Sequence, residues 1–417
     1  MVLLLILSGL AWYFYADFGK GKLMAIVPTE KTELTEQAEP IEQPKTTNTV
    51  VAELPPAPQE IEGYEELLPS AAQTPNESSI DSFDIQAHLQ LMRQNVAKYN
   101  YTLAYRHGAR IGSSLLADPK LTAEWGNILL EAGKLQEAVD VLKRITSEDT
   151  VKSEVAMDMA LAMFRSGNAD GAIEFLDAKM QSNSDVDLLA TKAAIIGEHP
   201  DVKRRAAAEQ LFLRCVKNNN VSPITSYWYG RFLMQKGDYQ NSKMYLERAL
   251  RAKPNEPRYI ARLGMAEFHL KQDSKAEALY KQALRINPYD YNTWFNLGEL
   301  YLSLANESSD IPNVRQKTQQ AMSSYLKTIE NDSLHAMANY RIGLILNWNG
   351  QHKESIGHLT IALGKTPNNI PIMQQLSSAY IKLGDTTKSV GYLETILKID
   401  PFNKIAADEF NRIRGRR

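Results

Sequence analysis

Residues 294–301 read Trp294-Phe295-Asn296-Leu297-Gly298-Glu299-Leu300-Tyr301, and after an interruption the chain continues Ala321-Met322-Ser323-Ser324-Tyr325. Counting back from Gly298 in steps of 34 lands on Gly264 and then Gly230. The same step separates Gly133 from Gly167, Gly350 from Gly384, Pro254 from Pro288 and Pro367 from Pro401. A fixed period of this length means one supersecondary unit stacked on copies of itself. The units tile residues 119–152, 153–186, 187–222, 223–256, 257–290, 291–335, 336–369 and 370–403, the third stretched by two residues and the sixth by eleven.

Each residue type in the period has a packing reason. A small residue at the eighth position (Gly126, Ala160, Ala194, Gly230, Gly264, Gly298, Gly343, Ser377) lets two antiparallel helices of one unit approach closely. A second small residue on the other helix, such as Ala138, Ser242 or Ala321, completes that contact. Four residues further on, a large residue such as Leu142, Phe212, Tyr280 or Tyr325 is expected to fill the space between units. Gly133, Gly167, Gly237, Gly350 and Gly384 fall at the turn between helices, where a helix end calls for positive φ. The four prolines stop the second helix.

The pattern Trp294-x2-Leu297-Gly298-x2-Tyr301 followed by Ala321-x3-Tyr325 resembles the tetratricopeptide (TPR) repeat residue by residue. The resemblance extends over about two thirds of the chain and implies an all-α, right-handed superhelical solenoid of helix-turn-helix repeats. Residues 84–118 are expected to form a leading helical pair and 404–417 a capping helix with a basic tail. The insertion, roughly Ala305 to Arg315, carries Ser308-Ser309-Asp310 and Pro312, loop formers that predict a long turn inside the sixth unit.

Residues 1–18 begin with an uncharged stretch ending in Trp12-Tyr13-Phe14-Tyr15, which suits a membrane interface and predicts a transmembrane anchor or an uncleaved signal. Residues 19–83 are rich in Pro, Glu and Thr with no apolar period, which predicts a disordered tether. Lys20 and Lys22 follow the apolar stretch, which alone favours a cytoplasmic array. A spacer of this composition suggests export instead. The expectation is a single-pass membrane protein with its repeats on the extracytoplasmic, periplasmic side.

With 47 basic and 49 acidic residues the chain has no bulk charge to offer a nucleic acid, so none is expected as a partner. Its single cysteine, Cys215, excludes an intrachain disulfide and a cysteine-based zinc site. Gly19-Lys20-Gly21-Lys22 lacks the spacing of a phosphate-binding loop, and the seven histidines include no HExxH pair. The expectation is therefore a protein that is not an enzyme, with no catalytic residues, cofactor, metal or small-molecule substrate.

In TPR arrays the first helices line the concave groove, and the resemblance places there Tyr227, Trp228 and Arg231, then Arg258, Arg262, Phe268 and His269. Phe295 and Asn296 follow from the sixth unit, and Tyr340, Arg341, Asn347 and Trp348 from the seventh. These form an aromatic and basic stripe, whereas the first two units present Glu124, Glu131, Glu154 and Asp158, so the groove is expected to change sign along its length. Arg and Trp are enriched in binding hot spots, and the stripe suits an acidic, aromatic-containing segment of a partner protein. Ala261 and Met265 stand where a carboxylate clamp of the chaperone-tail class would need polar groups. The layout resembles bacterial membrane-anchored TPR proteins of envelope assembly. The expected function is a membrane-tethered scaffold that binds its partner in the groove. The alternatives are a subunit of a pilus, secretion or polysaccharide machine that uses its convex face, or a regulator of a membrane enzyme.

Overall fold

Pro119, Pro223 and Pro257 each stand at the first turn of a helix, where a missing N–H costs nothing. Acceptors fix the starts of neighbouring helices: Asp118 accepts from the amides of Lys120 and Leu121, Ser222 from Thr225 and Asp290 from Asn292 and Thr293. In the computed structural model, which describes residues 82–147, 152–182, 185–198, 201–217 and 221–415, these caps open a continuous run of helix pairs. The anchor expected over 1–18 and nearly all of the tether expected over 19–83 lie outside the described residues. Among the described residues no helix is long and apolar enough to cross a membrane.

The run starts with α1 (Ser82–Ala97), α2 (Tyr101–Arg110) and the short α3 (Gly112–Leu115). Pairs α4 (Pro119–Glu131) with α5 (Leu135–Thr146), α6 (Ser153–Arg165) with α7 (Ala169–Ser182) and α8 (Val186–Gly197) with α9 (Val202–Val216) follow. Then come α10 (Pro223–Gln235) with α11 (Tyr239–Ala252), α12 (Pro257–His269) with α13 (Asp273–Ile286) and α14 (Tyr291–Glu307) with α15 (Ile311–Asn331). The last are α16 (Ala336–Trp348) with α17 (His352–Lys365), α18 (Ile370–Lys382) with α19 (Thr386–Ile399), and a closing α20 (Lys404–Arg414). Every described element is helical.

The repeated small and large residues do what their sizes require. Ala138, Ala172, Ala208, Ser242, Ala276, Ala321, Ser355 and Ser389 are each 0% exposed. The large residues also seat over the eighth-position glycine of their own unit: a Cβ on Gly126 would lie 2.3 Å from Leu142, and one on Gly298 2.6 Å from the Tyr325 ring. They therefore close the pair from within as well as joining units, as Tyr280 and Tyr325 do in one shared cluster with Leu297 and Ile342. The turn glycines have φ from +75° to +96°. In the unit of α12 and α13 that turn is made by Lys271 at φ +60°.

The insertion departs from the expected long turn. Only residues 308–310 link the two helices; α14 runs 17 residues where α12 runs 13, and α15 runs 21 where α13 runs 14. The reason is Asp310, which accepts from the Asn313 amide and caps α15, so that Pro312 serves in a first helical turn instead of breaking a loop.

Candidate functional site

First helices of successive units touch one another: α4 with α6, α6 with α8, α8 with α10, α10 with α12, α12 with α14 and α16 with α18. Second helices make no comparable run of contacts, so the first helices form the inner wall of a curve and the second helices its outside. The curvature is tight. Glu131, the last residue of α4, accepts from Arg258, the second residue of α12, at 3.1 Å across 127 residues of sequence. Tyr99 and Tyr101 lie in electrostatic reach of Arg258 and Glu256, and Arg165 at the end of α6 in reach of Tyr291 at the start of α14. The end of a first helix thus faces the start of the first helix four units later. Acidic and basic stretches, separate in sequence, oppose each other across one groove.

Units four and five bring together five of the residues the stripe predicts. Tyr227 stacks on Tyr259 with ring centres 4.8 Å apart and lies 5.1 Å from Trp228, whose face carries the Arg231 guanidinium at 5.4 Å. Arg231 pairs with Glu198. Arg258, 56% exposed, bridges Glu131 and Glu256. Arg262 hydrogen-bonds the Tyr227 hydroxyl and reaches the Met265 sulfur at 3.6 Å. Burial alone would raise the Tyr227 phenol, but Arg262, Arg231 and Arg258 around it outweigh burial and lower it. Opposite them, burial pushes the Asp158 carboxyl up to about 6, against the pull of a 2.9 Å hydrogen bond donated by Asn127.

Other residues of the stripe are engaged within the fold. Phe268 packs on the cluster holding Tyr280 and Tyr325, and His269 lies parallel to Tyr239 at 4.3 Å. Phe295 sits 5.0 Å from His335 and 5.7 Å from Tyr325, with Asn296 half-buried beside it. Tyr340 packs against Leu359 and Leu376. Arg341 is 13% exposed and makes a two-point pair with Glu299, both contacts at 2.8 Å, while Tyr325 donates to the same carboxylate at 2.5 Å. Its open position on the groove wall, which the repeat register predicts, is thus replaced by a desolvated pair that joins two units. Asn347 is buried, donating to Gln375 and meeting the His352 ring nitrogen at 2.6 Å. Trp348 is 50% exposed at the rim of a shallow notch with Glu299, Leu302 and Leu344.

Two of these contacts share a register: the ninth residue of one unit meets the sixth of the next, Asn127 with Asp158 and Glu299 with Arg341. Between units four and five the same rung holds Arg231 and Arg262, two like charges, and both bear on Tyr227. Glu299 and Glu198 are the functional neighbours that reading a single face missed; Glu131 was placed on the groove, but not against Arg258. The ninth-to-sixth spacing is the signal that would have found Glu299. Among the described residues no three His, Cys, Asp or Glu side chains are placed to hold a metal ion.

Tetratricopeptide-repeat family models match residues 129–195, 230–291, 279–319 and 370–403. Human superkiller complex protein 3 is 24% identical over 144 residues, 33% of this chain and 8% of that protein. The BBSome complex member BBS4 homolog of Drosophila melanogaster is 20% identical over 197 residues, 45% of this chain and 40% of that protein. The chain therefore spans less than half the length of either relative. Among solved structures, YrrB, a TPR protein with an unusual peptide-binding site, is 14% identical with a TM-score of 0.38, covering 48% of this chain and 96% of its own. Set on the helix pairs described above, the four family matches make this chain a member of the tetratricopeptide-repeat superfamily.

Proposed function

We propose that this protein is a non-catalytic adaptor that holds an acidic, aromatic-containing segment of a partner protein in its concave groove. In this reading residues 1–18 tether it to a membrane, and the array works on the extracytoplasmic side in the assembly of an envelope structure. The reading draws first on the unit four to five rung. Where the rungs Asn127–Asp158 and Glu299–Arg341 pair complementary groups, this one sets Arg231 and Arg262 beside Tyr227 and Trp228. Arg231 already pairs with Glu198, so Arg262 is the cation that leaves a carboxylate to be supplied from outside, and the half-buried Tyr227 ring beside it offers apolar area to an aromatic side chain.

The test is partner recovery by crosslinking from intact membranes carrying full-length wild-type, Arg262→Ala or Arg262→Glu chain at equal abundance. Charge reversal sets like charge against the ligand, whereas truncation only removes attraction. Recovery is expected to fall modestly with Ala and at least tenfold with Glu, and to weaken at raised salt. Undiminished recovery by Arg262→Glu would transfer the binding role to the convex face.

A further inference from the structure

Two successive units of the array handle the same phenol differently. Where unit six meets unit seven, Tyr325 from the second helix donates to Glu299 at 2.5 Å, and Arg341 holds the same carboxylate at two points. One unit earlier Tyr280 stands at the place of Tyr325 and Asn296 at that of Arg341, but the place of Glu299 is taken by Met265. The phenol is kept and its acceptor is not. Tyr280 is fully buried, and its hydroxyl has no hydrogen-bond partner. Leaving a buried donor unmade costs about 1–3 kcal/mol, so its presence calls for a physical account.

We infer that Arg262 and the Tyr280 hydroxyl, covered by the Met265 side chain, form a subsite for one carboxylate of the bound segment. The inference rests on the groove reading above and names its anchor. Three observations carry it beyond the orphaned phenol. A cation is already in place: Arg262, one helical turn before Met265, reaches its sulfur at 3.6 Å and lies in electrostatic reach of Tyr280. That cation makes no ion pair among the described residues. It hydrogen-bonds the Tyr227 hydroxyl, and Asp290 and Glu198 act on it only at longer range. The cover is also movable, because Met265 is half-buried and an unbranched thioether with three rotatable bonds shifts where a branched or aromatic side chain would not. A carboxylate entering at that place would meet guanidinium and phenol as Glu299 meets Arg341 and Tyr325.

The first measurement needs no ligand. Met265→Glu brings the chain's own carboxylate to the place that Glu299 occupies one unit later. Its Tm in the full chain should be no lower than wild type, and adding Arg262→Ala should lower Tm by more than Arg262→Ala lowers that of wild type. A fall in Tm that is the same with and without Arg262 would mark a stranded charge and overturn the inference. For binding, two peptides titrated against the full chain distinguish a side-chain carboxylate from a chain terminus: Ac-Gly-Trp-Glu-Gly amidated at its C-terminus, and Ac-Gly-Trp-Gln-Gly with a free one. The peptide that binds names the source, and binding of neither overturns the subsite. Tyr280→Phe should leave Tm unchanged or higher, since the hydroxyl has no bond to lose, yet weaken the bound peptide about tenfold. Met265→Glu should abolish that binding and Met265→Gln should preserve it. Unchanged affinity in both Tyr280→Phe and Met265→Glu overturns the inference. If only the subsite is at fault, Arg262→Glu still abolishes partner recovery from membranes while Tyr280→Phe and Met265→Glu leave it intact. If the groove reading itself is at fault, Arg262→Glu leaves recovery unchanged as well.

Discussion

Asp158 sits on the concave wall with its carboxyl held up near 6 by burial, although Asn127 and Arg258 both favour its charged form. A folded-state value above the ordinary 3.8 means the folded protein binds the proton more tightly than the unfolded chain. Stability from this group is therefore full below about pH 4 and is lost as pH rises through about 6. Asp158→Asn keeps an acceptor for Asn127 and removes the charge. It should stabilise the protein at pH 7 by roughly 1–2 kcal/mol and have little effect at pH 4, read from urea midpoints at the two pH values. Arg341→Ala should behave oppositely. It leaves the Glu299 carboxylate, 9% exposed, with only Tyr325 for a partner, and breaking such a buried pair costs about 3–5 kcal/mol. Restoring most of that loss by adding Glu299→Gln would show the cost to be the stranded charge. Asp158 was legible in the sequence as a groove residue, though not its contact with Asn127, whereas Glu299 was not legible at all. Reading one helical face at a time shows which residues share a wall but not which rung of the next unit they meet.

At the scale of elements the sequence was far more transparent. The packing of each pair needs a small residue against a large one at a fixed interval, and that requirement writes a 34-residue period wherever the geometry repeats. Gly298 under Tyr325 and Gly126 under Leu142 are the period made physical. The insertion was misread because its residues favour loops when judged singly. A capping Asp310 two residues before Pro312 is a helix start, and the added residues amount to four on α14 and seven on α15. Those are about one and two helical turns, so the inner faces of both helices keep their phase. Deleting 304–307 and 311–317 together should accordingly cost less than about 2 kcal/mol in thermal unfolding, chiefly through Leu304 and Ala305, which pack on the core. Deleting only 311–312 puts α15 out of phase by more than half a turn and should be much more damaging.

For the whole molecule, the decisive contact is the one between Glu131 and Arg258. It depends on curvature, the sum of many small rotations between units, and no local pattern encodes that sum. The sequence reading anticipated a groove that changes sign along its length; the opposition of the two signs across a single turn lay beyond it. The pair is partly exposed and is worth at most ~1 kcal/mol, so Glu131→Lys should move Tm by no more than ~3 °C. It should nonetheless open the curve, increasing the radius of gyration in small-angle scattering, and wild type in 1 M salt should expand toward the same value. An unchanged radius in both would show that packing between first helices alone sets the curvature.

Facing at an interval of four units also bears on how such an array tolerates gain and loss of repeats. A repeat can be excised or duplicated in frame with little penalty to folding, because each unit answers only to its neighbours. The groove answers to a different count. With the unit of α8 and α9 removed, Glu131 would come to rest opposite Tyr291 and Asn292, and Arg258 would lose its counterpart. Copy number is thus a neutral variable for the fold and a constrained one for recognition: a lineage that gained or lost one repeat would keep its solenoid and rewrite its specificity in a single step.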